Sequence, residues 1–101
     1  MPQKIVVFWR DIPAQVIIKA GRKNAKRQLP ERFEQAIDMA AMRSGAAGTD
    51  DYLADWRRAD PIDIEGDDLD ALAEAEAAQL DASYDQEAVK VLIANGGRAS
   101  G

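Results

Sequence analysis

Two β-rich runs near the N-terminus, Ile5-Val6-Val7-Phe8-Trp9 and Val16-Ile17-Ile18, constrain this chain more than any other feature. β-Branched and aromatic residues suit a pleated, half-buried surface. The break between the runs centres on Asp11-Ile12-Pro13, where Pro cannot donate to a ladder and Asp favours a turn. A parallel pair would need a crossover of about a dozen residues or more, which this connection does not have. The spacing therefore predicts an antiparallel hairpin with strands Lys4–Arg10 and Ala14–Ala20, ended by Gly21. Apolar residues on both faces of the first run imply cover on both sides or a place in mid-sheet.

Helical periodicity takes over further along. Arg22 to Gln28 is polar and basic without a strand period, and reads as a loop. Leu29-Pro30-Glu31 opens a helix: Pro suits a first turn, and Glu31 and Glu34 suit the positive end of the helix dipole. Phe33, Ala36, Ile37, Ala40 and Ala41 then form one apolar stripe that should pack on the hairpin, and Gly45 closes the helix near Ser44. Thr49 is placed to cap a short helix of two or three turns, with Tyr52, Leu53 and Trp56 at i, i+1 and i+4, ending before Pro61. Ile62 and Ile64 alternate with acids, which allows one short edge strand. Asp67 or Asp68 caps a third helix running to Tyr84, and Asp85 caps a fourth that ends at Gly96-Gly97. The fold class expected is α+β: an N-terminal antiparallel hairpin, with a third short edge strand where Ile62 and Ile64 lie, packed by three to four helices. Residues 1–97 form one domain on this reading, and residues 98–101 a frayed tail.

Composition narrows the chemistry. The 101 residues contain neither cysteine nor histidine. This removes disulfides, thiolate ligands and thiol nucleophiles, and with them the commonest general base. No apolar run approaches the roughly 20 residues of a membrane span. The apolar stretch after Met1 is too short for a secretory leader, so a cytoplasmic location is expected. The net charge of −5 conceals a polarity: residues 1–43 carry +5 and residues 44–101 carry −10. Such asymmetry points to partner binding or to attraction between the halves.

Two clusters stand out as candidate sites. Arg22, Lys23, Lys26 and Arg27 lie together in the basic segment beside the Pro30 helix start, and are the candidates for holding an anion: a phosphate, a carboxylate-bearing ligand or an acidic tail. The alternative is a solvated loop that pairs with the acidic half. Trp9 with Arg10, and Tyr52 with Trp56 and Arg57, are candidates for partner binding, because aromatic residues and arginine are enriched at interface hot spots; the alternative is packing in the core. Nucleic acid is disfavoured by a sequence pI near 4.6 and by aromatics that do not interleave with the cations. The acids from Asp60 to Asp70 lack the spacing of a calcium loop. No phosphate-binding loop, nucleophile elbow or zinc motif is present. Neither a metal nor a cofactor is expected, and no catalytic residue is assigned.

The segments Met1-Pro2-Gln3-Lys4-Ile5-Val6-Val7, Trp9-Arg10-Asp11-Ile12-Pro13-Ala14-Gln15-Val16, Lys26-Arg27-Gln28-Leu29-Pro30-Glu31-Arg32-Phe33 and Ala36-Ile37-Asp38 resemble the small bacterial proteins labelled virulence factor, over roughly residues 1–60. A similar domain occurs in the staphylococcal conserved virulence factor C beside helical repeats. The resemblance implies an adaptor-like role and brings no catalytic residues with it. It also implies proximity to folate and corrinoid one-carbon enzymes, which would give the basic cluster an anionic ligand or an enzyme partner. The expected function is a non-enzymatic protein-interaction or accessory module. The alternative is an anion- or cofactor-binding subunit of a methyl-transfer system.

Overall fold

The computed structural model describes residues 2–48 and 50–99, and it is an α+β fold. Five strands, β1 (Gln3–Trp9), β2 (Ile12–Ala20), β3 (Lys23–Gln28), β4 (Trp56–Arg58) and β5 (Ile62–Asp63), accompany four helices: α1 (Glu31–Ser44), α2 (Asp50–Ala54), α3 (Leu69–Ser83) and α4 (Gln86–Ala94). The sheet runs β3-β2-β1-β4, with β5 also on β1, and every pairing is antiparallel.

The predicted hairpin is present, tighter than expected. Trp9 pairs with Ile12, so the connection is only Arg10-Asp11. Arg10 takes φ 54 there, a conformation that non-glycine residues rarely adopt. The ladder shifts between Val7 and Phe8, where Ala14 is the extra residue opposite, a bulge that strengthens the local twist.

The basic segment corrects the sequence expectation, because it is a strand and not a loop. Ala20 pairs with Lys23 across a two-residue turn, Gly21-Arg22, with Gly21 at φ 62. A glycine leading a two-residue turn is a hairpin signal. The segment after Ala54 also departs from expectation. A helix running on towards Pro61 was predicted; instead α2 is one turn and Trp56–Arg58 pairs with Trp9–Val7. The edge strand at Ile62 is present as β5, and Ile64 N–H extends it by donating to Pro2 O at 3.0 Å. Thr49, the predicted cap, lies outside the described residues.

Alternation sorts the sheet into two faces. Val6, Val16, Ile18 and Ala25 form one core cluster with Ala73 of α3. Trp9 and Ile12 point the other way and join Leu29, Phe33, Ala36, Ile37 and Ala40 with Val89 and Leu92 of α4. The predicted α1 stripe is fully used: all five of its residues are buried. Leu80 touches both clusters and links them. Asp68 caps α3 through Ala71 N–H at 3.1 Å, and Asp85 caps α4 through Ala88 N–H at 2.8 Å, each contributing about 1 kcal/mol.

Candidate functional site

Trp9, Arg10, Tyr52, Trp56 and Arg57 are brought into one neighbourhood, but they divide into support and surface. Trp9 is wholly buried. Its indole N–H donates to Tyr52 O at 2.8 Å, and its ring lies 5.7 Å from that of Tyr52. Trp9 is therefore core, and it is withdrawn from the contact surface proposed for it.

Arg10 is a structural hub. Its Nε donates to Asp55 Oδ2 at 2.9 Å, its Nη1 donates to Gly96 O at 2.7 Å, and its guanidinium lies 4.6 Å from the centre of the Trp9 ring. The next residue, Asp11, accepts from Arg57 Nη2 at 3.2 Å and from Ala99 N–H at 2.6 Å, while its own N–H donates to Gly97 O. The hairpin turn thus ties β4 and the end of α4 together, and this network holds Arg10 in its strained backbone conformation. It also binds Ala99 through Asp11, while the Arg98 N–H donates to Asn95 O at the end of α4. Arg57 lies over Phe8 at 4.5 Å and donates to Arg10 O at 3.0 Å, so two of its five donors are engaged within the chain while its side chain stays half exposed.

Arg57 stays exposed, and beside it Tyr52 and Trp56 remain at the surface. Their rings meet edge to face, with centroids 6.1 Å apart, and Trp56 is exposed. Beside them a crevice of about 230 Å³ opens between α1 and the sheet. Its floor is Ala14, Leu29 and Ile37, its rim Gln15 and Gln28, and its α1 wall Glu34 and Asp38. The acids leave a mark on Tyr52, whose pKa is raised above 10.0 by burial first, then by the negative charges of Asp38 and Glu34. On the far side of Tyr52 a second shallow depression is lined by Asp38, Ala41 and Met42. Sequence reasoning missed Glu34 and Asp38; their spacing of four on the flank of the α1 stripe is the signal that pairs them.

The four basic candidates do not converge. Strand alternation sends Lys23 and Arg27 towards α3 and Lys26 to the opposite face, opposite Ile17. Arg27 pairs with Asp70 of α3 at 3.6 Å, and Lys23 lines a depression with Asp67, Asp68 and Asp70. Arg22 sits in the exposed turn. The two charged halves of the chain do meet: Lys4 pairs with Glu76 at 3.0 Å, and Arg32 with Asp81 at 2.7 Å. Among the described residues no group of three or more acids is arranged to hold a metal ion, and no helix is long and apolar enough to cross a membrane.

The virulence factor family model matches residues 7–93, from β1 through nearly all of α4. The chain belongs to the virulence factor family. The match extends well past residue 60, so α3 and nearly all of α4 lie within the family's domain. No curated protein and no solved structure matches the chain significantly.

Proposed function

We propose that this member of the virulence factor family is a non-enzymatic accessory module that docks another protein through the surface around Tyr52 and Trp56. One observation carries the reading. Met42, Leu53 and Trp56, from α1, α2 and β4, are 65%, 70% and 36% exposed around the half-buried Tyr52. Large apolar residues of these types, rimmed by charge and beside a crevice, are the usual composition of an interface core. The absence of imidazole and thiol from the sequence agrees with a role through surface rather than bond-making. The anion-binding alternative has less support, because β3 spreads its cations over two faces and Arg27 is already paired.

The test is a photo-crosslinking side chain at position 53 of the full chain, in its native cell. The expected result is a discrete adduct that disappears with Trp56→Ala in a variant whose unfolding transition is retained. Truncating an interface anchor costs about 2 kcal/mol or more of binding, so the loss should be clear. No adduct, or one indifferent to Trp56, overturns the reading.

A further inference from the structure

Three arginines of this chain are held in the same way, each by a ring and an acid together. Arg10 lies over Trp9 and pairs with Asp55. Arg32 lies over Phe33, 4.2 Å from its centre, and pairs with Asp81. Arg57 lies over Phe8 and pairs with Asp11. The crevice beside Tyr52 presents the ring and the acid of such an arrangement with no arginine of this chain between them.

Glu34 and Asp38 stand four residues apart on the exposed flank of α1, where like charges repel. The helix dipole favours Glu34 in the first turn but does not reach Asp38. Among the described residues neither carboxylate takes part in an ion pair. Arg32, the cation of the first turn, is committed to Asp81 and to Tyr84 O. Facing the acids is the edge-to-face pair of Tyr52 and Trp56, whose π-faces attract cations. The amides of Gln15 and Gln28, cross-strand partners, close the rim with further acceptors.

We infer that this crevice receives an arginine side chain of the docked protein, with its guanidinium against the Tyr52–Trp56 pair and its N–H donors on Glu34 and Asp38. The inference rests on the docking reading above and specifies the partner's anchor. Arginine fits better than lysine because a planar guanidinium stacks on a ring while donating in plane to carboxylates, whereas an ammonium is a compact, strongly hydrated point charge.

The probe is the blocked tripeptide acetyl-Gly-Arg-Gly-amide, titrated into the ¹⁵N-labelled full chain, with citrulline and lysine versions as comparisons. Citrulline keeps the shape and removes the charge. The expected result is shifts confined to Tyr52, the Trp56 indole, Gln15 and Gln28, with the arginine peptide binding about tenfold or more tighter than the citrulline one. The paired substitution Glu34→Gln with Asp38→Asn, both at exposed positions, should remove that advantage while leaving other resonances in place. Equal binding of arginine and citrulline peptides, shifts centred elsewhere, or lysine binding as tightly as arginine overturns the assignment. The two readings fail separately. An adduct at position 53 that survives the Glu34 and Asp38 substitutions rejects arginine and keeps docking. Arginine binding with no adduct keeps the crevice as an arginine site and rejects the docking surface.

Discussion

The two faces of the sheet are held by different means. The face beneath α1 and α4 is filled by large side chains: Trp9, Ile12, Phe33, Ile37 and Leu92 are all buried there. On the face beneath α3 the helix contributes only Ala73 as a fully buried residue, against Val6, Val16 and Ile18. Charge supplements what volume does not provide. Lys4, Arg27 and Arg32 pair with Glu76, Asp70 and Asp81 of α3. Ion pairs of this exposure are worth about 1 kcal/mol or less each, so they orient α3 more than they anchor it. The polarity of the sequence, basic first and acidic later, is thus used in part inside the molecule, where Lys4, Arg10, Arg27 and Arg32 each meet an acid of the later half. Glu34 and Asp38 are among the charges in none of these pairs, and they lie on the α1 side, beside the exposed aromatics.

Removing volume from the first face should have the largest effect. Trp9→Ala is expected to lower stability by about 3–5 kcal/mol, read from urea unfolding; a loss below about 1 kcal/mol would show that this face is not held by packing. Adding volume to the second face tests the converse. Ala73→Leu, at a wholly buried alanine packed on Val6, Val16 and Ile18, should cost about 1–3 kcal/mol by overpacking, and a stabilised variant would mean α3 sits loosely on the sheet. Neutralising Glu76 by Glu76→Gln should cost about 1 kcal/mol or less, shrink in high salt, and speed amide exchange in α3 before α1. Equal acceleration in both helices would dissolve the contrast between the faces.

The smallest expected effect is on Tyr52. In a Tyr84→Phe background, ultraviolet titration should place its ionisation above 10.0, and Glu34→Gln with Asp38→Asn should lower it without returning it to 10.0, because burial is the larger cause. The linked stability has a definite sign. The unfolded chain loses this proton first as pH rises, so the folded state binds more protons and its stability falls above pH 10. A phenol that ionises at or below 10.0 would mean the crevice is neither dry nor negative.

The hairpin was legible because β1 and β2 write their burial into their own residues: Ile5–Trp9 and Val16–Ile18 are apolar wherever the sheet covers them. The stripe of α1 and the caps Asp68 and Asp85 were legible for the same local reason. β3 was not, because only Ala25 of its six residues is both apolar and buried. Lys23 and Arg27 face an acidic helix more than forty residues away in sequence, and no local period records that. β4 was hidden likewise. Trp56 continues the helical spacing of Tyr52 and Leu53, yet the hydrogen bonds of β1 and the stacking of Arg57 on Phe8 draw the chain out into a strand.

The sequence alone determined the antiparallel hairpin, the helix that follows it and the capped helices, since each depends on residues within a few positions of one another, and the separation of charge, which the composition of the two halves fixes. Only the tertiary structure decided which tryptophan is core and which is surface. The two indoles are chemically the same, and one lies beneath α1 and α4 while the other ends on a three-residue edge strand. The same holds for charge: strand alternation and the docking of α3 set which cations are paired and which carboxylates are left beside the exposed rings, and both come from contacts made far along the chain.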